Sequence, residues 1–309
     1  MKELQFALFG KLQVASEAGK TIEIDARKAQ ELLCFLLLFR NQPHSRDVIA
    51  DTLWVENPSD QSRSYLRRTL WQLQHVLEEQ AGRLEQPLLL VEQDWLQLNP
   101  CAALWIDVSV FESTYSTVRG IPGEDLDEQA AKLLDSAAEL YQGHLLEGWY
   151  QDWCIYERER LLHIYLVMLD KLMRYCSVQN RFEEGIEYGM RVLRHDRARE
   201  YTHRQLMRLH YQARDRSAAI QQYDRCAKAL QEELGVEPTR RTRRLYDEII
   251  RDSRNIIPSL PPSPSSAITT ERLALQELLR DLQLARADAK RLDGRIDQQI
   301  EAIQKLLSQ

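Results

Sequence analysis

Between Asp60 and Leu77, leucines recur at Leu66, Leu70, Leu73 and Leu77. At about 100° per residue these four fall on one narrow face, so the spacing predicts a helix buried on a leucine stripe. Ser64, Arg68, Trp71 and His75 point the opposite way, flanked by Arg67 and Gln72. Asn57-Pro58-Ser59-Asp60 supplies a turn and an N-cap before it. Upstream, Arg27 to Arg40 (RKAQELLCFLLLFR) is apolar nearly all round after its first turn, the pattern of a helix at the centre of a core. Ser45 is placed to cap a helix over Arg46 to Trp54. Short apolar segments at 4–9, 11–15 and 21–24, punctuated by glycines, predict a small antiparallel sheet. Gly19-Lys20-Thr21 lacks the first glycine of a phosphate-binding loop, which would fall at Val14, and reads as a hairpin turn. Leu88 to Val91 and Trp95 to Leu98 flank Glu92-Gln93-Asp94 and predict a second hairpin.

The order sheet, three helices, hairpin is that of a helix-turn-helix with a wing. From Asp107 onward the pattern turns almost wholly helical. Segments are expected at Asp107 to Arg119, Asp127 to Tyr141, Asp152 to Gln179, Phe182 to Arg194, Arg199 to Ala213, Arg216 to Leu234 and Thr239 to Arg251. Short turns between them imply stacked helical hairpins. The stretch Ala213 to Ile220 (ARDRSAAI) resembles the inter-helix turn of a tetratricopeptide repeat, with small residues where helices pack closely. Residues 258–270 then hold four prolines, four serines and no formal charge until Glu271, the composition of a semi-extended spacer. In the tail, Leu275, Leu282, Ala289, Ile296 and Ile303 recur every seven residues, and Leu278, Ala285, Leu292, Gln299 and Leu306 follow three positions later. That a/d pattern predicts a coiled-coil helix about 55 Å long. Its expected use is self-association through Leu275, Leu278, Leu282, Leu292, Ile296, Ile303 and Leu306; the alternative is a helix folding back on the repeats.

The phrases LFGKLQV, RKAQELLCFLLL, RDVIADTLW and RSYLRRTLWQLQHVLE resemble the winged-helix domain of the response-regulator type, with its extra N-terminal sheet. LLEGWYQDWCIYERERL and AAIQQYDRCAKALQEELGVEP resemble a bacterial transcriptional activator domain. In this order the chain resembles regulators of the Streptomyces antibiotic regulatory protein family. The implied fold is mainly α: a winged helix-turn-helix with small β-sheets over 1–106, a tetratricopeptide-like helical domain over 107–256, a linker over 257–270 and a coiled-coil tail over 271–309. The resemblance implies a transcription regulator, expected to be an activator, that binds double-stranded promoter DNA, with RNA polymerase as a further partner.

Under that docking geometry Arg63, Ser64, Arg67, Arg68, Gln72 and His75 face the major groove. Arg46 and His44 are candidates for phosphate contacts. The loop Val55 to Ser59 matches the place where the wider fold touches RNA polymerase. Two departures weaken the picture. Trp71-Gln72-Leu73-Gln74-His75 replaces a basic stretch common in the family, and the expected wing tip is Glu92-Gln93-Asp94. Fewer cations mean less counterion release and weaker DNA binding, or a need for oligomer avidity. The rival reading is a scaffold or signalling protein whose winged helix has become a protein-interaction module. Trp71, opposite the stripe, is expected to pack against the wing or the second domain, with stacking in a groove as the alternative; Trp149 and Trp153 are expected to be packing residues rather than ligand groups.

Composition adjusts this only slightly. The 309 residues, 44% hydrophobic and 28% charged, suffice for roughly two or three domains. A net charge of −6 runs against the simplest expectation for a DNA binder. Five cysteines without CxxC spacing suit buried thiols in a reducing cytoplasm, and Met1 to Gly10 lacks the pattern of a signal peptide. No HExxH, GxSxG or glycine-rich nucleotide loop occurs, so no catalytic residue, metal site, cofactor or membrane role is expected.

Overall fold

The computed structural model describes residues 4–16, 19–56, 58–81 and 86–251. Linker 257–270 and the heptads at Leu275, Leu278, Leu282, Leu292, Ile296, Ile303 and Leu306 lie outside the described residues.

The chain begins with strands β1 (Leu4–Ala7) and β2 (Gln13–Ser16), paired antiparallel with Phe6 opposite Val14. The third strand of this sheet is not the 21–24 segment. Thr21 makes only an isolated bridge to Ala15. The other edge of β1 is instead taken by a later strand, Leu104–Ile106, running parallel to it. Ile22 and Ile24 are buried, so the apolar pattern there marks burial of an extended segment rather than a strand.

Three helices follow: α1 (Arg27–Leu38), α2 (Arg46–Leu53) and α3 (Ser59–Ala81). On α1, nine residues from Ala29 to Leu38 are buried, including Glu31. The all-round apolar pattern thus makes it the central helix of the N-terminal half. Ser45 precedes α2 in extended backbone, but its side chain makes no capping hydrogen bond. The two-residue strand β3 (His44–Ser45) pairs with β5 (Trp95–Leu98), which pairs in turn with β4 (Leu89–Val91). This antiparallel sheet is the wing. The parallel strand at 104–106, β6, leads directly into α4 (Asp107–Val118).

The remaining helices are α5 (Glu128–Glu139), α6 (Asp152–Val178), α7 (Phe182–His195), α8 (Glu200–Gln212), α9 (Arg216–Leu234) and α10 (Arg240–Arg251). Successive helices from α6 to α9 pack on one another as hairpins. Close approach is built in at Gly189, where a Cβ would lie 2.5 Å from Leu206 Cδ2. The repeat-like turn before α9 is capped by Asp215, whose carboxylate accepts the Ala218 N–H at 2.9 Å. Gly235, at φ +67°, closes α9 in the left-handed conformation that glycine adopts without strain.

One apolar core runs from the winged helix into the helical domain. Phe9 meets Phe111 of α4 at 5.0 Å and Tyr141, beyond α5, at 4.9 Å between ring centroids. The backbone after β1 also pairs with the connector between α5 and α6: Leu146 N–H donates to Leu8 and Glu147 N–H to Gly10. Asp107 fastens the same corner. Its buried carboxylate accepts the N–H groups of Leu8, Phe9 and Val108 at 2.6–2.9 Å. Burial still pushes this carboxyl above the usual range.

Candidate nucleic-acid interface

The leucine stripe of α3 does what its spacing predicts. Leu66, Leu70, Leu73 and Leu77 are all buried. Each contributes about 2 kcal/mol of burial, enough to fix which side of the helix faces out. Thr69 and Ser62 extend the buried side, and the Ser62 hydroxyl reaches the carbonyls of Trp54 and Pro58. The opposite side is open: Arg63, Ser64, Arg67, Arg68, Trp71 and His75 are exposed and Gln72 is half-buried.

The two central arginines differ from the first. Arg63 makes a bidentate pair with Asp47 of α2, at 2.5 and 2.6 Å, across the helix-turn-helix. Both partners are more than half exposed, so the pair is solvent-screened. Among the described residues, no carboxylate lies within ion-pair distance of Arg67 or Arg68. Their forks are free for an acceptor outside the chain.

Trp71 is 64% exposed. It packs against neither the wing nor the second domain, correcting that expectation. Instead its ring stacks on His75, 5.3 Å between centroids and within 7° of parallel. One turn of helix separates them, so the stack follows from i, i+4 spacing. The result is a flat aromatic plate on the outer face, following Arg67 and Arg68 along α3. The sequence carried the signal, since Trp71 opposes the stripe, but exposure of so large an apolar surface is uncommon enough to be read as packing.

The two candidate phosphate contacts beside α3 separate. Arg46 is half-buried, and its Nη1 reaches the carbonyls of Glu92 and Gln93 at 3.3 and 3.5 Å. Its backbone N–H also donates to Asp94. Arg46 therefore ties the start of α2 to the wing tip. His44 is only 8% exposed, wedged edge-on against Phe35, with Nε2 donating to the Phe39 carbonyl at 2.8 Å. Burial removes it from the set of surface contacts; it locks the turn after α1. The wing tip Glu92-Gln93-Asp94 is fully in solvent, and Trp95 beside it is half exposed. In the loop before α3, Val55 is 81% exposed.

Behind this surface, α1 is clamped to the helical domain. The Arg27 guanidinium lies 3.9 Å over the Trp149 ring. Glu31 receives Lys28 at 2.6 Å and the Gln151 amide at 3.0 Å, while Lys28 also donates to the Leu53 carbonyl at the end of α2. Phe35 packs edge-on against Trp153. Trp149 and Trp153 are buried packing residues, as expected. Arg40 and Arg160 share Glu112 of α4. Nothing in the sequence pairs Glu31 with Gln151, 120 positions apart; the contact exists only once the fold does.

Among the described residues, no group of three or more His, Cys, Asp or Glu is placed to hold a metal ion. None of the described helices is long and apolar enough to cross a membrane.

Residues 106–250 match the family model of the bacterial transcriptional activator domain. The chain is 26% identical over 249 residues to the transcriptional regulatory protein MoaR1 of Mycobacterium tuberculosis, covering 80% of this chain and 79% of that one. The MoaR1 of Mycobacterium bovis matches to the same extent. Among solved structures, Mycobacterium tuberculosis EmbR in complex with a low affinity phosphopeptide is similar, with a TM-score of 0.68 at 21% identity. That match covers 91% of this chain and 72% of EmbR, and it shows a shared fold.

Proposed function

We propose that this chain, a winged helix joined to a bacterial transcriptional activator domain, regulates transcription by laying the outer face of α3 in the major groove of promoter DNA. The observation that carries the reading is the state of that face. It is uncovered by the helical domain, and it presents Arg67 and Arg68 without ion-pair partners among the described residues. Arg67, Arg68, Ser64 and Gln72 are the side-chain types that reach base edges and phosphates. The Trp71–His75 plate adds an apolar surface for sugar or thymine methyl groups. Arg63 is held at the rim by Asp47.

Affinity through this face is modest, because few cations are on it and the wing tip is acidic. Self-association through the tail, 271–309, would supply avidity on repeated sites. Truncation after Ile257 is expected to lower the oligomeric state read by light scattering; an unchanged number of chains per particle removes the tail from that role. RNA polymerase is the partner assigned to the exposed loop at Val55. The expected setting is the cytoplasm, and the expected direction is activation.

The rival reading, a winged helix turned protein-binding module, draws on the acidic wing and the overall charge of −6. A salt series separates the two. The full chain is titrated onto its own upstream DNA and onto scrambled duplex, beside Arg67→Ala/Arg68→Ala. Preference for the native fragment is expected, with a log–log salt slope about two units shallower in the double variant, one per lost phosphate contact. No binding by the folded protein even at low salt transfers the function to the rival. Equal binding by the double variant removes this face from the site.

A further inference from the structure

The activator domain contains a second cationic feature, unlike α3 in being recessed. Between α6, α8 and α10 lies an open cavity of about 300 Å³, the lower end of the range for small-molecule sites. Arg174, Arg204, Arg208 and Arg241 all line it, against one lining carboxylate, Glu124. Four guanidinium groups thus share a space with one lining acid, and Glu200 behind Arg204 is the second carboxylate within ion-pair distance of them.

What holds these arginines is mostly neutral. Arg174 Nε donates to the Tyr201 hydroxyl at 2.8 Å, with Glu124 more distant at 3.3 Å from Nη1. Arg204 Nη1 donates to Thr242 Oγ1 at 3.0 Å, and its carboxylate neighbour Glu200 is 3.5 Å away. Arg208 Nη1 donates to Gln205 Oε1 at 2.9 Å. No carboxylate among the described residues pairs with Arg208 or Arg241. Tyr, Thr and Gln oxygens orient the forks without cancelling their charge, which is how a site is kept ready for an anion. Burial, then Arg241 and Arg204, hold the Arg208 guanidinium below its ordinary value. Elsewhere in the domain arginines meet acids closely, as Arg199 meets Asp170 at 2.5 Å. Met173 and Leu209 give the cavity an apolar wall.

We propose that this cavity binds a small organic anion, carrying a phosphate or at least two carboxylates on a compact apolar body. Two or more charge-assisted forks would grip the anionic end while the apolar wall covers the remainder. The volume suits a metabolite rather than the surface of a folded partner. Because the cavity spans α6, α8 and α10, an occupant ties α10 to the hairpins before it. The inference is independent of the DNA reading, and its test contains no DNA.

The full chain is melted with pyrophosphate, with citrate, and with sodium chloride at matched ionic strength, and heats of binding are measured by calorimetry. At millimolar concentration one anion is expected to raise Tm by about 2–4 °C over chloride. Pyrophosphate acting more strongly points to a phosphate ligand, citrate to a polycarboxylate. Arg208→Gln is expected to abolish the rise while leaving the anion-free Tm equal or higher, because it relieves like-charge repulsion. Arg241→Gln, at an exposed position, gives a second reading if Arg208→Gln folds poorly. Arg119→Gln, an exposed arginine outside the cavity, is expected to keep the full rise. No rise with either anion in the wild type, or an undiminished rise in Arg208→Gln/Arg241→Gln, overturns the site.

Discussion

Arg68 and Arg158 both sit on long helices, α3 and α6, and they spend their guanidinium groups in opposite ways. Arg158 reaches three backbone carbonyls of the connector before α6: Leu145 and Leu146 at 2.9 Å and Trp149 at 2.8 Å. Those three residues are buried, and Leu146 stands at φ +47°, where a leucine is held only by its surroundings. Arg158 thus stands in for missing secondary structure, holding the Leu145 and Trp149 carbonyls and sharing that of Leu146 with the Trp149 N–H. Arg68 satisfies nothing inside the chain among the described residues. The same side chain is mortar in one half and an open hand in the other. What tells them apart is where the five N–H groups end, not how basic the local sequence is.

The largest expected effect is therefore at a residue remote from the proposed DNA surface. Arg158→Ala takes the guanidinium away from the buried Leu145 and Trp149 carbonyls, on either side of Leu146 at φ +47°, and is expected to cost about 3 kcal/mol of stability. Urea unfolding of the full chain checks this. A variant as stable as the wild type would mean that water replaces the guanidinium, and would dissolve the distinction drawn here. Because the connector also pairs with the strand edge after β1, DNA binding should fall only in proportion to the unfolded fraction.

The next effect reverses the pattern. Arg67→Ala and Arg68→Ala are each expected to weaken specific DNA binding by about 1–3 kcal/mol, while stability shifts by no more than about 0.5 kcal/mol. Loss of affinity without loss of stability is the signature of the outer face. Loss of both would place these arginines among the structural ones. Trp71→Ala is expected to follow at about 1 kcal/mol of affinity. Its removal also frees His75 from the stack. An unchanged affinity would mean that the plate stands clear of the groove.

These contrasts mark what was legible in the sequence. Period-3.6 leucines on α3 and the all-round apolar α1 fixed both helices, their buried sides and the order of elements, because local spacing alone decides them. The 21–24 segment misled for the same reason. Alternation reports burial, but which strand fills the edge of β1 is decided by the return of β6 from 104–106, about a hundred residues away. His44 could not be separated from Arg46 by composition, since the backbone changes from β3 to α2 between them and only the fold turns His44 into the core. Arg158 was visible only as part of a phrase resembling the activator domain; its three carbonyls are a property of the folded connector. Charges announce themselves in a sequence, but their partners do not.

The smallest expected effect carries the opposite sign and probes the boundary between the two uses. Arg63 belongs to the outer face by position and to the structure by its pair with Asp47. The pair is exposed, so its loss costs at most about 1 kcal/mol of stability. In the proposed DNA complex, however, Asp47 is a negative charge held at the edge of the face assigned to phosphates. Asp47→Asn removes that charge from beside Arg63. Affinity is expected to rise a few-fold, with a salt slope steeper by about one unit as one more phosphate is neutralised. Arg63→Ala, which leaves the carboxylate behind, is expected to weaken binding more than a plain loss of one contact. If Asp47→Asn instead weakens binding, the pair is needed to hold α3 against α2, and Arg63 belongs with Arg158 rather than with Arg68.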